Sequence, residues 1–217
     1  MIKNISDNYI KYKKNVFVKL GLKKHRTAII GYISLRKDLK QKELNIGKNA
    51  ILLSNSIIYM GSKIGDNLIL GHNAIIREEN IIGDNFKLWP NSIVDYGCRI
   101  GNNVKIHSNV YIAQFTEIED DVFIGPGTIV INDIHPGCKF SKKCMKGPLI
   151  KRGVNIGANV TINPFITIGE NSLVGSGSVV TKDIPKNCLA YGIPAKMKKK
   201  ITDIKCIRGI TDSPYII

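Results

Sequence analysis

Residues 64–130 read IGDNLILGHNAIIREENIIGDNFKLWPNSIVDYGCRIGNNVKIHSNVYIAQFTEIEDDVFIGPGTIV, and every sixth position is aliphatic: Ile64, Leu70, Ile76, Ile82, Leu88, Val94, Ile100, Ile106, Ile112, Ile118, Ile124 and Val130. The rhythm reaches back through Ile58 and Leu52 to Ile46 without a gap, which makes 15 hexads. It slips once and resumes at Ile150, Ile156, Ile162, Ile168, Val174 and Val180, six hexads in a second phase. A helix repeats its apolar residues at about 3.6 and a half-buried strand at about two, so neither explains one obligatory aliphatic in six. A fixed long-range period is the mark of a solenoid.

Glycine often follows the aliphatic, as in Ile64-Gly65, Ile82-Gly83 and Ile156-Gly157, with Asn or Asp close behind. These residues tolerate the left-handed backbone of a corner. Each hexad therefore reads as a short strand and a bend. Three hexads close a triangular coil of 18 residues, and 21 hexads make seven coils. Stacked by parallel pairing, they form a prism roughly 30 Å tall.

The flanks lack this rhythm. Residues 1–45 are lysine-rich and are expected to form an N-terminal cap or helical arm, residues 46–184 the solenoid, and residues 185–217 a short C-terminal tail. The slip, INDIHPGCKFSKKCMKGPL at residues 131–149, is a polar excursion that a solenoid can expel as a loop without breaking its stack. Loops on a rigid scaffold are where binding and catalysis concentrate.

Composition narrows the function. Five cysteines without a CxxC pair argue against a disulfide framework or a zinc site. No stretch has the roughly 20 apolar residues of a membrane span, and no signal-peptide layout is present, so the expected place is the cytoplasm without stable membrane insertion. The basic arm touching a membrane surface is a weaker reading of the same lysines. The formal charge of +15 calls for a partner with negative charge. Lys139, Lys142, Lys143, Lys146, Lys151 and Arg152 gather at the excursion and Lys196, Lys198, Lys199 and Lys200 in the tail. That distribution suits phosphates of small ligands better than nucleic acid, for which no motif or aromatic-interleaved basic surface exists.

Three motifs carry a resemblance: HSNVYIAQFT at 107–116 and EDDVFIGPG at 119–127, inside the stretch 69–136, and VVTKDIP at 179–185 followed by YGIPAK at 191–196. With the hexads they resemble the hexapeptide-repeat acyltransferases, whose fold is a left-handed parallel β-helix. The stretch 69–136 is most similar to nucleotide-sugar N-acetyltransferases acting on amino-deoxyhexoses, and the likeness covers about residues 60–196. The resemblance implies an all-β solenoid, a homotrimer with sites between subunits, acetyl-CoA as co-substrate with no metal, and a UDP- or dTDP-linked amino sugar as acceptor in glycan biosynthesis.

It also assigns residues. Asn109 and Gln114 would meet the reacting amine, with Glu78, Glu79, His107, Glu117, Asn132 and Asp133 around the acceptor. His107 would orient the acceptor, with a general-base role as the alternative. His135 is either a base or a solvated loop residue. Gly157, Asn159, Ser176, Gly177 and Lys196 would hold coenzyme A. The coil arithmetic adds that Gln114 and Asn132, and Asn91 and Asn109, lie 18 apart and so should stack as two amide pairs along one face. Asparagine ladders also simply stabilise β-solenoids. Competing readings are O-acetylation of a sugar or amino-acid hydroxyl, zinc-dependent hydration of carbon dioxide and a non-catalytic scaffold. The zinc reading is poor, since Ile112 stands where His107 would need a nearby histidine partner.

Overall fold

The computed structural model describes residues 10–13, 15–39 and 43–215. Their backbone forms three sheets of nine, eight and ten strands, in which each strand of the stack pairs in parallel with the strand one coil away. The register is the one the hexads demand: Ile82 lies on Ile64 and Ile100, Ile76 on Ile58 and Val94, Leu88 on Leu70 and Ile106. The second phase docks on the first without a fault, with Ile150 on Ile118, Ile156 on Ile124 and Ile162 on Val130. The architecture is the expected parallel β-helix, with all seven hexad coils present.

Each two-residue strand buries its second member and turns its first outward. The sequence pattern had shown one inward residue per hexad, whereas the structure has two. The residue two before each aliphatic is also buried: Leu68, Phe86, Val104 and Val122 in one sheet, Ser62, Asn80, Cys98 and Thr116 in another. The polar members remain inside because they are satisfied. Ser62 Oγ donates to the Arg77 carbonyl at 2.9 Å, and Asn80 Oδ1 accepts from the Cys98 N–H at 2.8 Å. Cys98 is fully buried, and desolvation pushes its thiol up to about 12, so it acts as a small core residue.

Corners are set by side chains as well as by backbone. Asn49, Asn67, Asn85 and Asn103 adopt φ between 57° and 61° and donate upward in a ladder that ends on Asp121, with N···O distances of 2.8–3.1 Å. A second ladder runs Asn55–Asn73–Asn91.

Both ends carry ordered structure of their own. Residues 16–32 are a further coil rather than a helical arm: Val16–Val18, Lys23–Lys24 and Ile29–Tyr32 each join one of the three sheets. Beyond the last hexad, Cys188–Gly192 extends the ten-stranded sheet and turns back through Ala195–Lys200, so the start of the tail is a hairpin closing the stack. The excursion leaves after Ile129–Val130, carries a one-turn helix at Ser141–Cys144, and returns at Leu149–Ile150. Among the described residues no helix is long and apolar enough to cross a membrane.

The three outer faces are unlike. The nine-stranded face shows Lys63, Arg99 and Glu117, and the ten-stranded face Lys23, Lys87 and Lys105. The eight-stranded face turns out Ile29, Ile57, Ile75, Ile93, Tyr111, Ile129, Thr161 and Val179 in one vertical row, with no charged side chain.

Candidate active site

The residues singled out from the sequence fall mostly on the two edges that flank this apolar face. On the edge shared with the ten-stranded sheet, Trp89 and His107 stack one coil apart at 6.2 Å between centroids, and Phe123 meets His107 edge-on at 6.4 Å. His107 Nδ1 accepts the Ser108 N–H at 2.9 Å. That bond occupies the Nδ1 lone pair, so the neutral ring carries its proton on Nε2 and presents a donor there. Asn109 sits at the corner itself, exposed, at φ 60°.

Above His107 the same edge loses its side chains. Gly125, Gly157 and Gly175 follow one another in successive coils because the stacking leaves no room. A Cβ on Gly157 would lie 2.5 Å from the Ser176 nitrogen, and one on Gly125 2.7 Å from the Gly157 carbonyl carbon. Ser176 Oγ accepts from the Ala158 N–H at 3.0 Å, while Asn159 and Gly177 hold positive φ at the corner. Gly157, Asn159, Ser176 and Gly177 therefore form a nearly bare strip over two coils. Tyr191 covers the end of this edge, and Lys196 lies opposite it across the hairpin.

On the other edge a polar column crosses four coils. Glu78, fully buried, accepts from Ser34 Oγ at 2.7 Å and from Arg77 at 3.0 and 3.2 Å, with Arg36 at 3.6 Å. Burial alone would raise its pKa; the hydrogen bonds from Ser34 and Arg77 outweigh this and hold it below the usual carboxylate range. Arg77 reaches onward to Asp95 at 2.9 Å. Asp95, also buried, accepts from Tyr111 Oη at 2.7 Å and from Gln114 Nε2 at 2.6 Å. Gln114 Oε1 in turn accepts from Asn132 Nδ2 at 2.7 Å, at the root of the excursion. Desolvation, then Asp95, raises the Tyr111 hydroxyl pKa, which keeps it a donor.

Of the two expected amide pairs, Gln114–Asn132 is formed and Asn91–Asn109 is not: the Asn55–Asn73 ladder ends on Asn91 Oδ1 at 3.0 Å. Nor does a single edge carry both pairs: Asn109 and Gln114 lie at opposite ends of the strand Tyr111–Ile112. Glu79 occupies a corner at φ 58° and meets Arg36 at 3.0 Å. Asp133 accepts from Ser141 Oγ and from the His135 N–H, and these bonds hold its pKa down; the His135 ring is exposed on the excursion. Glu117 lies apart, on the nine-stranded face, in a groove of about 460 Å³ with Arg99, Glu119, Asp120 and Arg152. Of the basic residues at the excursion, Lys151 and Arg152 pair with Glu119 and Asp120 at 2.8 and 2.9 Å. Asp95 and Arg77 were missed from the sequence, although Arg77, Asp95 and Gln114 are spaced at nearly one coil and the 18-residue arithmetic would have aligned them.

The bacterial transferase hexapeptide (six repeats) family matches residues 81–114 and 147–182, on either side of the excursion. No curated protein matches the chain. Among solved structures, a UDP-N-acetylglucosamine acyltransferase from Arabidopsis superposes with a TM-score of 0.66 at 18% identity, covering 84% of this chain and 64% of that one. A UDP-N-acetylglucosamine acyltransferase from Bacteroides fragilis 9343 gives 0.59 at 22% identity, covering 82% and 72%. A maltose O-acetyltransferase from Clostridium difficile 630 is 35% identical over 48% of this chain and 59% of its own, less than two thirds of its length, with a TM-score of 0.42. The repeat matched by the family model is the one that builds the three sheets. The chain carries the bacterial transferase hexapeptide repeat over these two segments.

Proposed function

We propose that this protein is an acyltransferase that moves an acetyl group from acetyl-CoA to the amino group of a nucleotide-linked amino-deoxy sugar, UDP- or dTDP-linked, for glycan assembly, and that it works as a homotrimer. The observation that carries the proposal is the placement of the two polar edges on either side of one uncharged, isoleucine-rich face. A row of outward isoleucines on a face of this height is a self-association surface. Closing three such faces around an axis sets the His107–Asn109 edge of one subunit against the Gln114–Asn132 edge and excursion of the next. The two halves of the site, separate in one chain, then face one gap.

In this arrangement the pantetheine arm lies along the bare strip at Gly157, Asn159, Ser176 and Gly177, and Lys196 reaches the phosphates. The acceptor amine enters unprotonated and its nitrogen attacks the thioester carbon. The His107 Nε2–H and the Asn109 amide stand at the edge where a developing oxyanion can be met by donors. As the tetrahedral intermediate collapses, the C–S bond breaks and the amine proton passes to the thiolate. Positioning supplies most of the rate, and no side chain has to act as a base. His135 on the excursion supports the second reading, an O-acetyltransferase, since a hydroxyl needs a base where an amine does not.

Mixing inactive variants tests the shared site. Asn109→Ala and Gln114→Ala, each without thiol release from acetyl-CoA in the presence of the acceptor sugar, should regain about one quarter of wild-type activity when co-refolded in equal amounts, because a quarter of random interfaces pair two intact edges. Mixtures as inactive as their parents would show that both edges serve one subunit.

A further inference from the structure

The buried carboxylate of Asp95 has no role in the chemistry just described, yet it fixes the polarity of every amide between itself and the root of the excursion. An Asp95 carboxylate paired with Arg77 at 2.9 Å can only accept hydrogen bonds, so the Gln114 amide must point its Nε2 inward, at 2.6 Å. With Nε2 turned inward, Gln114 presents its oxygen to Asn132, and Asn132 gives one N–H of Nδ2 to it, at 2.7 Å. Asn132 then keeps its oxygen free as an acceptor, beside the second N–H of Nδ2. Asn132 Oδ1 takes no hydrogen bond from the described residues, and none of their buried side-chain polar atoms lacks a partner, so this oxygen is open to solvent. An Asn amide on its own could turn either end outward; the chain from Arg77 through Asp95 and Gln114 removes that freedom.

We propose that Asp95 is a positioning residue that sets acceptor choice: by locking the Asn132 oxygen outward it makes the site one for a donor group, an amine with N–H bonds to give, in preference to a hydroxyl. This rests on the reading that the acceptor binds at Gln114 and Asn132, and it adds the reason that an amine is chosen there. A hydroxyl can also donate, but it has one proton to an amine's two and needs it elsewhere when it becomes the nucleophile. The negative end of the relay adds field strength, since a carboxylate at its root polarises both amides in the same sense.

The experiment uses the full-length protein and matched probes, the UDP- and dTDP-linked 4-amino and 4-hydroxy forms of one deoxyhexose, and the corresponding 3-substituted pairs. Calorimetric binding gives the amine-to-hydroxyl affinity ratio, and thiol release is recorded separately. Wild type should favour one amine over its hydroxyl partner. Asp95→Asn, which lets both amides turn over, should reduce that ratio by about tenfold, the cost of one misdirected buried hydrogen bond. Asn132→Leu, which removes the terminal oxygen without touching the buried charge, should do the same and serves if Asp95→Asn does not fold. Equal ratios in wild type and in either folded variant overturn the proposal, and so does a wild type that binds every amine no better than its hydroxyl partner. A wild type that selects the amine without releasing thiol would refute acetyl transfer and leave the relay standing.

Discussion

Replacing Glu78 with Gln removes one negative charge from the foot of the polar column while keeping its shape. The carboxylate meets Arg77 at 3.0 and 3.2 Å and Ser34 at 2.7 Å, with Arg36 at 3.6 Å, and is fully buried. Loss of one partner in a fully buried ion pair costs about 3–5 kcal/mol. Here both arginines are partly exposed and keep other anions, Arg77 with Asp95 at 2.9 Å and Arg36 with Asp38 and Glu79, each at 3.0 Å. The expected loss is accordingly near a charged hydrogen bond, about 2 kcal/mol. For a chain of this size that lowers Tm by about 4–8 °C at neutral pH. The pH dependence has a definite sign. Glu78 titrates below its unfolded value of 4.5, so its contribution is complete above that pH and fades as the pH falls through the lower, folded value. Calorimetric scans from pH 7 down through pH 3 should show wild type and Glu78→Gln converging in acid. Equal Tm values at pH 7, or a gap that widens in acid, would refute this view of the column. Unchanged KM for the sugar in the folded variant would assign Glu78 to holding Ser34 and Arg36 rather than substrate.

Two further outcomes follow from the faces and edges. Ile93→Lys puts a charge in the middle of the uncharged face and should convert a trimer to monomers in light scattering, with the circular dichroism of the β-helix retained; a trimer that persists removes this face from the interface. Gly157→Val should lower Tm by several degrees, because its Cβ would sit 2.5 Å from the Ser176 nitrogen and 2.7 Å from Ser176 Oγ, and should abolish coenzyme A binding in calorimetry, whereas Lys151→Ala, already paired with Glu119, should leave that affinity within twofold.

The period of six is legible because each inward strand position is filled by an aliphatic with no alternative, and it brought out seven coils and their register. The first coil was hidden by two local events. Val18, Lys24 and Ile30 keep the six-residue spacing and pair with Ile46, Leu52 and Ile58, but a lysine takes the place of the second aliphatic. At the end of the stack that place can be filled by a long stem whose ammonium reaches out to the His25 carbonyl at 3.1 Å. The loop after Tyr32 then breaks the phase before Ile46. The second inward row was illegible for a different reason: Ser, Asn, Cys, Thr, Ala, Val, Leu and Phe all occur in it, since fit to the coil below decides each one. At the site, the motif 107–116 drew attention to Asn109 and Gln114 together, yet contiguity is not proximity: the strand Tyr111–Ile112 between them sends one to each edge. Gln114–Asn132 followed from the coil period, while Asp95 was overlooked because an acidic residue near a corner is so often a solvated one.

The most direct measurement is thiol release from acetyl-CoA by the purified protein against UDP- and dTDP-linked 3-amino and 4-amino deoxyhexoses, with each product weighed by mass spectrometry. The account predicts a gain of one acetyl group on an amino sugar and none on its hydroxyl counterpart. Acetylation of the hydroxyl sugars alone, or coenzyme A bound with no amino sugar modified, would contradict it.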